Sequence, residues 1–183
     1  SINFGENFNT SNIVDMGYMF WNCRSLMELN LSKFNTSKVT TMDGMFQGAA
    51  SLVNLNLSSF NTSNVTDMSS MLNGCWNLEN LNLSSFNTSN VTNISNMFTQ
   101  CRSLTSLDLS MFDTSKVESM TSMFNECISL TYIDMRGAVF NATSYDNMFS
   151  NTSNLSVIVK DEIARVWIQD RLGSNGTAII ASV

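Results

Sequence analysis

Four cysteines occupy one repeated position of this chain and are the first candidates for chemistry. They are Cys23, Cys75, Cys101 and Cys127, and Ala49 fills the same position in the one unit that lacks cysteine. A metal or redox site favours thiols close together in sequence, as in C-x-x-C, and that spacing is absent. We therefore expect a buried row of free thiols, because alanine at one position indicates that a small apolar side chain suffices there.

Other catalytic or metal chemistry finds little support in the sequence. The chain has no histidine, which is the usual general base near neutral pH and the commonest metal ligand. It has no acid pair at a fixed spacing and no glycine-rich phosphate loop. The methionines of the repeated positions recur three residues apart, which indicates an apolar core face and not a soft-metal site. The sequence predicts a protein that is not an enzyme and holds no metal or cofactor.

The composition narrows the range of partners. Of 183 residues, 43% are hydrophobic and 13% are charged, and the formal net charge is −6. This acidic balance argues against a nucleic-acid partner, since phosphate binding needs a basic surface. No apolar run reaches the length of a membrane span, and no signal peptide begins the chain. Because the sequence starts within its own repeating pattern, we expect a piece of a longer protein whose anchor lies elsewhere.

The elements that would position these side chains repeat every 26 residues. Phenylalanine, methionine and leucine keep their positions through five copies. The phenylalanine column is Phe8, Phe34, Phe60, Phe86 and Phe112, and one methionine column is Met19, Met45, Met71, Met97 and Met123. One unit alone buries too little apolar surface to offset the entropy lost on ordering it. Neighbouring units must therefore stack on one another.

Each unit divides into two halves with different periodicity. In "SLVNLNLSSF" (51–60) apolar and polar residues alternate, which predicts a half-buried strand. In "NVTDMSSMLNGC" (64–75) apolar residues recur three apart, which predicts a short helical or 3₁₀ segment. Every unit should run from strand to corner to short helical segment to return corner, with parallel strands on one side.

Recurrent motifs fill both halves of the unit. The first half carries L-x-x-L-x-L, as in "LVNLNL" and "LTSLDL", and the second carries F-[ND]-T-S-[NK]-V, M-x-x-M-F and C-x-x-L. Together they resemble the BspA-type leucine-rich repeats of bacterial surface proteins, over roughly residues 8–159. One departure is the phenylalanine column, which stands where such repeats usually place asparagine. The resemblance implies an α/β leucine-rich-repeat solenoid, on a bacterial surface or secreted, that binds host proteins, matrix components or other cells.

The pattern changes near the C-terminus. "KDEIARVWIQDRL" (160–172) is apolar at Ile163, Val166, Trp167 and Ile168, which predicts an amphipathic helix that Gly173 could end. "TAIIASV" (177–183) predicts a last strand. Since terminal units of repeat arrays must seal the open core, we predict a solenoid at 1–159 and a C-terminal cap at 160–183.

The outward positions of the predicted strands are the main candidates for ligand binding, because repeat arrays use such extended surfaces. These positions are Glu28, Asn30, Asn54, Asn56, Asn80, Asn82, Ser106, Asp108, Tyr132, Asp134 and Arg136. A plain solvated face is the alternative. Trp21 and Trp76 stand outside the repeated columns, and we consider them candidate aromatic anchors of an interface.

These features predict a monomeric, non-enzymatic binding module of adhesin type on the outside of a bacterial cell. Its ligand would be a protein or extracellular-matrix component, with a glycan as a further candidate. An inert spacer that projects another domain is the first alternative. The second alternative is ice or glycan binding by hydroxyl rows, although hydrogen bonding at corners explains these rows more simply. The longest such row is Thr10, Thr36, Thr62, Thr88 and Thr114.

Overall fold

The repeated units form short parallel strands, most of which pair with the strand that follows in the chain. The computed structural model describes residues 2–182. The strands are β1 (Asn54–Asn56), β2 (Asn80–Asn82), β3 (Ser106–Asp108), β4 (Tyr132–Asp134), β5 (Leu155–Val159) and β6 (Gly176–Ile180). One α-helix, α1 (Glu162–Leu172), and a 3₁₀ turn (Gly173–Asn175) stand between β5 and β6.

The strands form two separate parallel sheets. One contains β1 and β2, and the other contains β3, β4, β5 and β6 in chain order. Leu55 pairs with Leu81, and Leu107 pairs with Ile133, so equivalent residues of neighbouring units lie side by side. The leucine between two polar residues points into the core, as the alternating pattern predicted. The strand predicted around Glu28 and Asn30 is not formed, because no ladder joins this segment to β1.

The second half of each unit is a series of turns, and the predicted short helical segments are wrong. Two residues per unit, four positions apart, have positive φ, as at Gly44 (57°) and Gly48 (73°) and again at Asn96 (57°) and Gln100 (60°). A right-handed helix cannot continue through such residues. The three-residue spacing of the methionines instead reflects turns, as when the Met45 N–H donates to the Met42 carbonyl at 3.2 Å.

These turns form the longest ladder of the protein. Isolated parallel bridges join Asp15, Thr41, Asp67, Asn93, Ser119 and Ser144 in succession. Beside them, the Phe46 N–H donates to the Met71 carbonyl at 2.9 Å, and the Phe98 N–H donates to the Met123 carbonyl at 3.0 Å. Backbone donors that a helix would satisfy internally are therefore satisfied by the next unit. The turn side links units from Asp15 to Ser144, whereas the strand side is interrupted between β2 and β3.

The apolar columns fill the space between strands and turns, as predicted. The phenylalanines of the turn side stack face to face, and the rings of Phe98 and Phe124 lie 5.6 Å apart at 3°. The columns of the inner units are fully buried at residues such as Met71 and Leu78. The first unit is sealed less completely, because Met19 is 39% exposed and Phe8 is only partly buried.

The C-terminal helix packs through Ile168 and partly through Trp167, as predicted, but not through Ile163 or Val166. Ala164, Ile168 and Leu172 are buried, one turn apart, whereas Ile163 is 84% exposed and Val166 is exposed as well. The Asp161 side chain caps the helix by accepting the Ala164 N–H at 2.9 Å. Gly173, at φ 54°, follows the last helical residue. The predicted division into a solenoid at 1–159 and a cap at 160–183 stays a prediction. Ser1 and Val183, the outer ends of these two segments, lie outside the described residues.

Candidate functional site

The predicted strand face presents two polar rows that flank the buried leucines, and the two rows differ in their contacts. The first row is Glu28, Asn54, Asn80, Ser106 and Tyr132, and all five residues are exposed. Its members meet across strands, since the Asn80 Nδ2 donates to the Asn54 Oδ1 at 2.7 Å. We call these five residues the outer row. They are solvent-facing side chains at equivalent positions of five successive units.

The second polar row ends the strands. Asn30, Asn56, Asn82 and Asp108 are exposed, but each accepts the backbone N–H of the residue two positions later at 3.0 Å. These bonds turn the chain away from the strand direction. The hydroxyl and N–H of Ser110 both bond to Asp108, and they lower the pKa of this carboxyl below its usual value. The polar pattern therefore has a structural cause at these four positions.

The predicted row of outward-facing residues is corrected most directly at Asp134 and Arg136. Asp134 was expected to point outward, but it is only 5% exposed. Its carboxylate accepts hydrogen bonds from the Arg136 Nε at 3.0 Å and from the Arg136 Nη2 at 2.7 Å. The hydrogen bond that Arg136 donates to this carboxylate is the main cause that raises the pKa of Arg136. Arg136 is the exposed member of the pair and covers the buried carboxylate.

Trp21 and Trp76 line one shared groove, although 55 positions separate them in the chain. Trp21 is 58% exposed and Trp76 is 44% exposed, as the sequence predicted for residues outside the core columns. The groove encloses about 250 Å³ and lies at the corner that returns from the turns to the strands. Its other lining residues are Asn22, Arg24, Gln47, Gly48, Ala50, Asn73, Gly74 and Gln100. We call it the tryptophan groove.

The sequence analysis found both tryptophans but missed the rest of this groove. The available signal was a pair of glycines, Gly48 and Gly74, at equivalent positions of the second and third units. Trp76 is held from outside the groove, because the Arg102 guanidinium lies 5.6 Å from its ring centre. Arg102 in turn pairs with Glu126 at 2.6 Å, and this hydrogen bond lowers the pKa of Glu126.

The threonine row is part of the interior and does not face solvent. Thr10, Thr36, Thr62, Thr88 and Thr114 are all buried. The hydroxyls of the first four donate to carbonyls of the next unit at 2.9 Å, at Asn35, Asn61, Asn87 and Asp113. Corner hydrogen bonding, the simpler interpretation of the row, is therefore confirmed. A buried hydroxyl row presents no lattice of donors to ice or to a glycan.

The cysteine column is unpaired and, from Cys75 onward, buried, as predicted, whereas Cys23 is only partly buried. All four cysteines are free thiols. Burial raises the pKa of Cys75 and of Cys127 to about 12, and it raises the pKa of Cys101 well above the usual range. Among the described residues no cluster of histidine, cysteine or acidic side chains is arranged to hold a metal ion. Between residues 2 and 182, no helix has both the length and the apolar character that crossing a bilayer requires.

Comparison with known proteins identifies a family. A sequence model described as "Mycoplasma protein of unknown function, DUF285" matches the chain twice, over residues 2–81 and 50–161. These overlapping matches cover well over half of the sequence. No curated protein and no solved structure matches the chain.

Proposed function

We propose that this chain, which belongs to the DUF285 family of Mycoplasma proteins of unknown function, is a non-enzymatic binding module of adhesin type. Its units would form a leucine-rich-repeat solenoid of the BspA type, carried on the outside of the cell. The ligand would be a protein of the host surface or extracellular matrix. The outer row of the strand face would be the contact surface.

One observation carries this proposal, namely that the outer row is exposed while its neighbours have structural roles. Asn56, Asn82 and Asp108 end the strands, whereas Asn54, Asn80 and Tyr132 form no such turn with their own segment. The residue type also changes along the outer row, from glutamate through asparagine and serine to tyrosine. The buried columns keep one type over the same distance because they share one packing environment. A surface free of that constraint can be fitted to a ligand.

The geometry of the strand side suits a protein ligand. Backbone pairing fixes the spacing at about 4.8 Å within two pairs of the outer row, Asn54 with Asn80 and Ser106 with Tyr132. Tyr132, 41% exposed, stands at one end of the row beside Arg136 and Asp108. Tyrosine and arginine are residues that protein interfaces favour, because each offers apolar area together with hydrogen-bonding groups. We place the strongest contacts at this end.

The experiment is a solid-phase binding assay on matrix and plasma proteins such as fibronectin and fibrinogen. A double variant, Asn54→Lys with Asn80→Lys, adds two positive charges to the outer row without touching the residues that end the strands. Its matched control is Asn64→Lys with Asn90→Lys, which adds the same charge at a column where the chain itself has Lys38 and Lys116. Saturable binding that the first variant loses and the control keeps supports the proposal.

Two results would count against it. Equal binding by both double variants, together with unchanged binding by Tyr132→Ala, would remove the contact from the outer row. Absence of binding to every protein tested, in a folded and stable sample, would favour the inert spacer. The exposed asparagines of β1 and β2 support the spacer as an alternative, since such side chains also suit a plain solvated face.

A further inference from the structure

We propose that the tryptophan groove is a saccharide-binding site, separate from the outer row and independent of the function proposed for it. The occupant would be an oligosaccharide with two linked pyranose rings lying along the groove. One ring would pack on Trp21 and the other on Trp76, both of which line the groove.

The floor of the groove is formed by Gly48 and Gly74, and the backbone conformation alone does not explain why these residues are glycines. Gly48 and Gly74 have φ values of 73° and 74°, a region that usually favours glycine. The equivalent positions of other units are Asn22 (57°), Gln100 (60°), Glu126 (58°) and Asn151 (58°), so the turn accepts larger residues. Glycine occupies this position only in the second and third units, and the third unit also carries Trp76. A side chain at either glycine would occupy the space above the floor.

The floor is also rigid, because the backbone of each unit is bonded to the next. The Asn22 N–H donates to the Gln47 carbonyl, the Gly48 N–H to the Asn73 carbonyl at 2.7 Å, and the Gly74 N–H to the Thr99 carbonyl at 2.9 Å. A Cβ at Gly74 would lie 3.5 Å from the Gly48 Cα, which shows how closely the two floor segments pack. A site whose shape exists before binding loses little entropy when a ligand enters.

The positions of the indoles favour linked sugar rings over a single ring. Trp21 belongs to the first unit and Trp76 to the third, so two unit spacings of about 4.8 Å separate their units along the stack. A ligand that contacts both indoles must therefore be longer than one pyranose ring. The aromatic faces carry negative charge density, which attracts the weakly positive C–H groups of a sugar ring.

The polar lining is suited to hydroxyl groups. Asn22, Gln47, Asn73 and Gln100 line the groove, and an amide side chain has both donors and an acceptor. The Gln100 amide is partly engaged already, because its Nε2 donates to Glu126 at 3.1 Å. A hydroxyl also donates and accepts, so amides pair with it in either direction. Arg24 is the only charged residue among the lining residues, and its Nε already donates to the Asn22 Oδ1 at 2.6 Å. The lining therefore favours a largely uncharged polar ligand over a nucleic acid or an acidic peptide.

The test begins with the intact chain on an array of neutral and sialylated oligosaccharides. Each retained sugar is then titrated in solution, with tryptophan fluorescence as the readout. We expect Trp21→Ala and Trp76→Ala each to weaken binding at least about tenfold. The double variant Gly48→Asn with Gly74→Asn should abolish binding without unfolding the protein, because asparagine already occupies the equivalent position at Asn22. Arg24→Gln distinguishes a sialylated ligand from a neutral one, since the loss of the positive charge should weaken the binding of a sialylated sugar only.

Two control variants show whether a loss of binding is specific to the tryptophan groove. Ile128→Ala removes an exposed apolar side chain at the position equivalent to Trp76, outside the groove, and should leave saccharide binding unchanged. The double variant Asn54→Lys with Asn80→Lys should also keep it, which separates this site from the outer row. Retention of no sugar on the array would overturn the proposal. Binding that survives the Gly48→Asn and Gly74→Asn changes, or binding of peptides alone, would overturn it as well.

Discussion

The hydroxyl of Thr62 forms two hydrogen bonds with the backbone of Asn87 in the following unit. It donates to the Asn87 carbonyl at 2.9 Å and accepts the Asn87 N–H at 2.8 Å. Thr36 makes the same pair of bonds with Asn61. One buried threonine per unit therefore satisfies a donor and an acceptor of its neighbour, and it ties the corner of one unit to the corner of the next.

Replacing this hydroxyl should weaken the stack. Thr62→Val keeps the shape of the side chain but leaves the N–H and carbonyl of Asn87 without their partner. We expect the free energy of unfolding to fall by about 1–3 kcal/mol, measured by urea denaturation. Thr66→Val is the control, because the Thr66 hydroxyl is on the surface and donates to the Thr40 carbonyl over a longer distance, 3.3 Å. A loss from Thr66→Val as large as that from Thr62→Val would contradict this account.

The phenylalanine stack should show pairwise coupling. Phe98 and Phe124 are fully buried, and their rings are nearly parallel at 5.6 Å. A double-mutant cycle with Phe98→Leu and Phe124→Leu should give a coupling energy of about 0.5–1.5 kcal/mol beyond the loss of buried area. The same cycle between Phe98 and Phe60, which lies in another column, should be additive within about 0.5 kcal/mol. Coupling of equal size in both cycles would rule out a contribution specific to the stacked pair.

The buried thiols should be chemically silent while the protein is folded. Cys75, Cys101 and Cys127 are fully buried, whereas Cys23 is only partly buried. Because the thiolate is the reactive form and needs solvent access, a thiol reagent at pH 8 should label Cys23 alone. All four should react in denaturant. Rapid labelling of Cys101 in the folded protein would contradict the burial described here.

The same thiols should make stability fall at high pH. Burial keeps Cys75 and Cys127 protonated up to a pKa of about 12, whereas their unfolded forms ionise near pH 9. The raised pKa means that stability is fully present below about pH 9 and declines as pH rises toward 12, by about 1.4 kcal/mol per pH unit and thiol. Cys101→Ala should reduce this slope between pH 9 and 11, because alanine occupies the same position at Ala49. An unchanged slope would exclude Cys101 as a contributor.

Arg171 should hold the C-terminal helix against the last repeat. Its guanidinium lies 3.6 Å from the centre of the Trp167 ring and 3.9 Å from that of Tyr145. Arg171→Ala should lower the free energy of unfolding by about 1–2 kcal/mol and speed amide exchange in α1. Arg165→Ala, on the same helix, removes only a surface pair with Glu162 and should cost less than about 0.5 kcal/mol. Equal effects of the two changes would argue against the Arg171 contacts as the cause.

The sequence alone determined the parts of the structure that depend on a repeated local environment. The spacing of Phe60, Met71 and Leu78 placed them in the core, and the alternation around Leu55 placed a strand there. The alanine in the cysteine column predicted free, buried thiols. These inferences succeed because every unit meets a copy of itself, so one position keeps one environment and hence one residue type.

The tertiary structure decided what depends on contacts between units. The turns around Met45 and Phe46 could not be told from a helix, because their backbone partners lie in the next unit and leave no local signal. Asp134 is buried because Arg136 folds back over it. The way in which α1 lies on the last strands decides that its buried face is formed by Ala164, Ile168 and Leu172. Trp21 and Trp76 share a groove only because stacking brings the first and third units together. The position of each side chain in the folded protein depends on all of these contacts together, and no short stretch of the sequence contains them.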